Sequence, residues 1–334
     1  MRCSIIIPTW QRSELLSATL DSLAQQTMKE FEVVVVCDGE DPQTRELATR
    51  YMATYPLRWI FSEQNEGQAS ARNRGAQDAR GEFLLFLDDD TMPAEDWIFK
   101  HIGGHKKYGK GRDVVVYGKI LETYTRPPRS QTERFLRAER EHQLAVLEDS
   151  YQRREPDFSR YVCFGVNSSI RRSTFLTVGG FDPALRFVGE DFELGTRLHN
   201  TGIQFYLETG AIVRHRNTKD IVAYFHSRLH SMAQHDLHRV RERGQKVEQT
   251  QRLVSMDSGR LTKRFAHRAA WCFPKFFLAA IPLCRWVVDT TGWEPFFHLW
   301  DRCHMALYWQ AIRSQGGTRV WLRECAGFWA ERKL

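Results

Sequence analysis

The sequence predicts an α/β protein: a mainly parallel central sheet over residues 1–216, followed by a C-terminal helical region. Three observations carry this. Short β-branched runs, "CSIIIP" and "FEVVVVCDG", have the make-up of strands buried on both faces. Segments with helical spacing separate them, and that alternation is the signature of parallel pairing. Apolar runs also stop abruptly in carboxylates, most plainly in "FLLFLDDDTMP", as strands do where ligands gather at their carboxyl ends.

The elements follow in order. The first strand begins almost at Met1, so no signal peptide is expected. "RSELLSATLDSLAQQT" spaces Leu16, Leu20 and Leu23 for one helical face, with Ser13 as its expected cap. The second strand ends at Asp38, and "PLRWIFSEQ" reads as the third. In "NEGQASARNRGAQDAR", Asn65 and Gly67 form a turn into a helix. Its small residues Ala69, Ala71, Gly75 and Ala76 allow close packing, and Arg72 is directed toward the strand ends. "GEFLLFLDDD" is the next strand. After "VVVYGKILETY", residues 126–157 form a charged, helical excursion, which reads either as a solvated face or as a flap over a site. "VCFGVNSSIRR" returns to strand. In "VGEDFELGTRL", Glu190, Asp191 and Glu193 read as a loop entering a helix whose Leu194 and Leu198 face the core. "AIVRHRN" ends a last strand at His215.

Composition narrows the class. At 42% hydrophobic and 27% charged, the 334 residues suit an ordinary globular protein, not a disordered one. Seven cysteines without CxxC spacing argue against zinc and for reduced thiols in a cytoplasmic setting. Charge is uneven: residues up to His215 carry roughly −3 and the remainder roughly +10, which predicts an acidic partner for the tail.

The chemistry centres on Asp88, Asp89 and Asp90. Like charges at the mouth of an apolar core repel, so the triplet needs a compensating partner. Asp88 and Asp90 have the D-x-D spacing that can offer oxygens to one hard cation, Mn²⁺ or Mg²⁺, which then shares its shell with phosphate oxygens. An aspartate-nucleophile phosphatase would need hhhDxDxT; here Thr91 falls one position early and Met92 takes its place. Glu190 and Asp191 offer a carboxylate base with a second carboxylate beside it. On residues alone, each feature also has a plain structural reading: an acidic turn, a well-capped helix, a salt-bridged helix, a structural histidine.

The ordered set "SIIIPTWQRSELL", "VVVVCDG", "NEGQASARNRG", "FLLFLDDDTMP", "GVNSSIRR", "VGGFDPAL", "GEDFELGTRL" and "IVRH" resembles family 2 of the inverting glycosyltransferases, over roughly residues 3 to 216. The resemblance implies a GT-A fold and a nucleoside-diphosphate sugar donor. It implies that Pro8, Thr9, Arg12, Asp38, Asn65, Arg72, Asp88 and Asp89 line the nucleotide site, Asp38 at the base and Asp88 at the ribose. Asp90, with His215 as a further ligand, would bind the divalent cation. Asp191 would be the catalytic base and Glu190 its orienting neighbour or an acceptor contact. Processive members carry QxxRW; "PLCRW" at 282–286 has Pro282 where the glutamine belongs, so single additions are expected. A sugar nucleotidyltransferase would open with a glycine-rich loop, which "IPTWQRSE" lacks. An inactive scaffold would have no reason to keep Asp90 and Asp191.

Residues 217–334 hold seven of the ten tryptophans. "KRFAHRAAWCFPKFFLAAIPLCRWVV" is broken by Lys275, Arg285 and two prolines, too short an uncharged run to span a bilayer. Basic residues among aromatics suit a helix lying on an anionic membrane surface, on the inner face of the membrane, with a glycan or lipid-linked acceptor. Packing on the core, or on a second subunit as a homo-oligomer, is the other reading. Nucleic acid is not expected.

Overall fold

A computed structural model describes residues 1–153, 165–185, 189–217 and 274–292. The chain divides into two compact units, Met1–Thr125 with Glu141–Thr218, and Arg126–Arg140 with Lys219–Leu334. The start of the charged excursion, Arg126–Arg140, groups with the second unit.

The first unit is built on an eight-stranded sheet in the order β3-β2-β1-β4-β7-β6-β8-β5. Its strands are β1 (Cys3–Thr9), β2 (Phe31–Cys37), β3 (Leu57–Phe61), β4 (Phe83–Phe86), β5 (Thr91–Pro93), β6 (Val114–Tyr124), β7 (Ser168–Arg171) and β8 (Gln204–Asn217). β1 to β4 pair in parallel, as do β6 and β8; β7 is antiparallel to both of its neighbours and β5 to β8.

Every residue of β1 and β2 is buried, as continuous apolar runs require. Alternate side chains serve opposite layers. Ile5, Ile7, Val33 and Val35 pack with Leu16, Leu20 and Leu23 of α1 (Ser13–Ala24). Ile6, Val34 and Val36 pack with Ala69, Ala71 and Ala76 of α3 (Gln68–Asp78). Each wholly buried leucine contributes about 1.5–3 kcal/mol. On α3 the small residues matter as expected: a Cβ at Gly75 would lie 2.6 Å from Ile6 Cγ2. The remaining helices of this unit are α2 (Pro42–Arg50), α4 (Trp97–Gly109), α6 (Arg172–Thr177) and α7 (Glu190–Asn200), while α5 (Gln131–Arg153) is divided between the units.

Two local expectations are corrected. Ser13 does not cap α1; it is the first helical residue, and Arg12 stands at the N-cap with no side-chain hydrogen bond to the helix. Gln11 immediately before it has φ 55°, so the chain enters the helix too sharply for a serine cap at 13. Glu190 and Asp191 lie in the first turn of α7, not in a loop; Gly189, at φ 94°, makes the turn ahead of them.

In the second unit Glu133 accepts hydrogen bonds from Arg126, Arg137 and the Arg129 amide, and Asp289 accepts one from the Thr132 amide at 2.8 Å. Asp289 belongs to α8 (Pro274–Thr291), which contains Pro282 and the "PLCRW" residues and exposes Leu283 and Trp286. Among the described residues no helix is long and apolar enough to cross a membrane. Most of the basic, tryptophan-rich tail on which the membrane-surface reading rests, residues 218–273 and 293–334, lies outside the described residues.

Candidate active site

The aspartate triplet occupies the crossing from β4, in the middle of the sheet, to β5 at its edge. Thr91 closes this turn, its amide and hydroxyl both donating to the Asp88 carbonyl. The pairing of β5 with β8 then sets Thr91 opposite His215, and the Arg216 amide donates to the Asp90 carbonyl at 2.7 Å. Residues 88–90 and 215, far apart in the chain, therefore meet through strand register.

The three carboxylates point to different surroundings. Asp88, partly exposed, takes a hydrogen bond from Arg72 at 2.8 Å. Asp89 is enclosed; its oxygens accept from the Thr9 hydroxyl at 2.8 Å and from Arg12 at 2.7 Å, and burial raises its pKa to about 7 while Arg12 pulls the other way. Its carbonyl accepts from Thr19 of α1. Asp90 is also buried. Its Oδ2 takes a second Arg12 nitrogen and lies 3.3 Å from His215 Nε2, whereas Oδ1 has no hydrogen-bond partner. Burial opposes ionisation of Asp90, yet the hydrogen bond with His215 and the charges of His215 and Arg12 hold it well below the usual carboxylate range. Burial would lower His215, but the hydrogen bonds to Asp90 and Glu122 push it up to about 10.

Repulsion among the carboxylates is thus answered from within the protein. Sequence reasoning expected an external cation and a diphosphate to do this and the strand end to be strained without them. It named Arg12 and Arg72 as nucleotide-site residues; what it missed is that they pair with these carboxylates, Arg12 on one side and Arg72 on the other. Arg72 is 2% exposed and joins Asp88 to Glu190 of α7, at 2.8 and 2.9 Å. Burial disfavours its charge, and Asp88 and Glu190 outweigh that and raise its pKa. Gly165 makes room for it: a Cβ there would fall 2.6 Å from the guanidinium carbon. Asp191, next to Glu190, is only partly buried, and its Oδ1 accepts from the Phe192 amide in the first turn.

The other residues singled out by sequence lie close by. Pro8 is buried opposite Val36. Asp38 accepts from the amides of Glu66 and Gly67 at 3.0 and 2.8 Å, so it latches the turn into α3. Asn65 packs against Gly39 in the same turn.

These residues fit a divalent cation in one respect. The buried Asp90 Oδ1, which has no hydrogen-bond partner, and His215 Nε2, 3.3 Å from the other Asp90 oxygen, are an oxygen and a nitrogen that could serve Mn²⁺ or Mg²⁺ once the imidazole gives up a proton. Among the described residues no three His, Cys, Asp or Glu side chains are gathered to hold an ion alone. Substrate phosphate oxygens and water would have to complete the shell, which is how Mg²⁺-type sites are commonly built.

Comparison with known proteins bears on the family and the fold. The model of the family described as "Glycosyl transferase family 2" matches residues 4–179, more than half of the chain. A glycosyltransferase of Bacillus subtilis, YfnE, is 27% identical over 295 residues, covering 71% of this chain and 73% of its own. Validoxylamine A glucosyltransferase of Streptomyces hygroscopicus is 32% identical over 220 residues, 60% of this chain and 52% of its own. Among solved structures, S. aureus TarS superposes with a TM-score of 0.53 at 17% identity, over 94% of this chain and 55% of that one. The chain therefore spans between about half and three-quarters of the length of these relatives. The fold is the GT-A arrangement.

Proposed function

The chain belongs to glycosyl transferase family 2, and from that premise we propose that it moves one sugar at a time from a nucleoside-diphosphate donor to a hydroxyl acceptor, with inversion and with the help of a divalent cation. The observation that carries this reading is the Asp88–Arg72–Glu190 bridge, with Arg72 and Glu190 buried. It ties the strand end, where the donor would lie, to the helix turn bearing Asp191.

Asp90 and His215 would hold the cation, which when bound offsets charge on the leaving diphosphate. Asp88 would face the donor's ribose, and Thr9, Asp38 and Asn65 border the space for its base. Asp191, at the partly open start of α7, takes the acceptor's proton as the acceptor oxygen forms its bond to the anomeric carbon. The bond from that carbon to the diphosphate oxygen breaks on the opposite face, so configuration inverts. Glu190, held by Arg72, keeps this turn in place. A lipid-linked or cell-surface glycan as acceptor would suit the basic, aromatic tail.

Two variants test the reading. Calorimetry with UDP, GDP and dTDP, with and without Mn²⁺, should show one nucleotide bound in a metal-dependent way by the wild type and lost in Asp90→Ala. Asp191→Asn should retain that binding but lose transfer by at least ~100-fold, the usual contribution of a positioned base. Normal turnover in Asp191→Asn would refute the assignment of the base.

A further inference from the structure

Three strands converge on His215. β6 and β8 run parallel with Glu122 opposite His215, and β5 places Thr91 on its other side. Thr123 donates its hydroxyl to the His215 carbonyl at 2.9 Å. The backbone at this point is therefore fixed from both neighbours, but that alone does not decide how the ring is turned.

The ring's orientation comes from two carboxylates. His215 Nδ1 lies 2.8 Å from Glu122 Oε2, and Nε2 lies 3.3 Å from Asp90 Oδ2. The Glu122 side chain is 1% exposed, so it is out of reach of a donor or acceptor in solution. A carboxylate is costly to enclose unless it is tied to hydrogen-bond donors. Here one of its ties is to the imidazole nitrogen that faces away from Asp90. A ligating histidine needs its second nitrogen held in this way, because the hydrogen bond fixes both tautomer and ring plane.

We propose that Glu122 is a positioning residue for the cation site, holding His215 by Nδ1 so that Nε2 is presented to the Asp90 carboxylate. The inference rests on the cation reading above, and it adds a residue that neither motif nor spacing marks.

The test is Mn²⁺ binding followed by electron paramagnetic resonance. Mn²⁺ is titrated alone and with whichever of UDP, GDP or dTDP the protein binds. Nitrogen modulation in the pulsed spectrum reports an imidazole on the metal. In the wild type, bound Mn²⁺ shows that modulation, and His215→Ala abolishes it. Glu122→Ala weakens Mn²⁺ binding about 10–100-fold and loses the modulation. Glu122→Gln, which keeps an oxygen toward Nδ1, restores the modulation and most of the affinity. That rescue separates positioning from a general loss of structure, and where Glu122→Ala fails to fold, Glu122→Met, which fills the space but offers Nδ1 no oxygen, takes its place with the same expected losses. Wild-type affinity and modulation in Glu122→Ala would overturn the proposal, as would a Glu122→Gln spectrum without modulation. Modulation persisting in His215→Ala would place the nitrogen elsewhere and overturn it too. A wild type that binds nucleotide but no Mn²⁺ would overturn the cation reading itself, a result distinguishable from all of these.

Discussion

Lowering the pH from 7 to 5 should weaken the fold through two buried histidines. His101 and His105 lie on the inner face of α4, both buried. Asn167 Oδ1 can only accept, and it receives Trp97 Nε1 at 2.7 Å and His101 Nε2 at 2.9 Å, so His101 carries its proton on Nε2. The Asn167 amide nitrogen donates to the carbonyls of Lys119 and Ala211, which fixes this orientation. His101 Nδ1 then accepts from the Ser169 hydroxyl, and Ser169 accepts from His105 Nε2 at 2.8 Å. A second proton on either ring would break this chain. Burial lowers His101 to about 4, with Asn167 and Glu208 opposing. Burial lowers His105 to about 3, aided by His101 and Arg171 and opposed by Asp113. Both sit below the ordinary 6.5, so the unfolded chain takes up protons that the native one refuses. Stability is whole above pH 6.5 and is lost as pH falls through 6.5 toward 4 and 3. At pH 5 the loss is about 2 kcal/mol for each ring, from roughly 1.5 units at 1.36 kcal/mol each. Urea unfolding at pH 7, 6 and 5 measures it. Over that range His105→Gln should lose about 2 kcal/mol less than the wild type. Asp89 and His215, whose raised pKa values work in the opposite direction over this window, contribute equally to both proteins and cancel from that difference. Equal losses in the two proteins would refute the argument.

Arg72→Ala should cost about 3–5 kcal/mol in urea unfolding, because Glu190 is left buried without its counter-charge. Adding Glu190→Gln to it should recover part of that loss. Gly165→Ala places a methyl against the Arg72 guanidinium, so it should cost about 1–3 kcal/mol and lower transfer activity more than it lowers nucleotide affinity. Activity measured beside calorimetric binding checks the split.

What the sequence made legible was local. The β-branched runs gave β1 and β2, and leucine spacing gave the buried face of α1. The ends of these runs located Asp38 and the triplet. What it concealed depends on pairings between distant segments. Glu122 is one carboxylate in an ordinary strand until β6 lies beside β8 and sets it opposite His215. Likewise His101 and His105 look like members of a polar helix until β7 brings Asn167 and Ser169 beneath them. Arg12 was legible as a residue near a phosphate site, but its grip on Asp89 and Asp90 depends on the turn at Gln11. Strand register over such separations leaves no trace in a window of a dozen residues.

Arg12 also bears on how the protein comes to exist in a cell. Small zinc domains cannot fold until metal arrives, because the ligands repel or stay hydrated without it. Here a guanidinium from the chain itself already stands among Asp89 and Asp90. An acidic turn neutralised by the chain's own arginine does not need a bound ion to hold it together, so the scaffold and any ion it takes are separable.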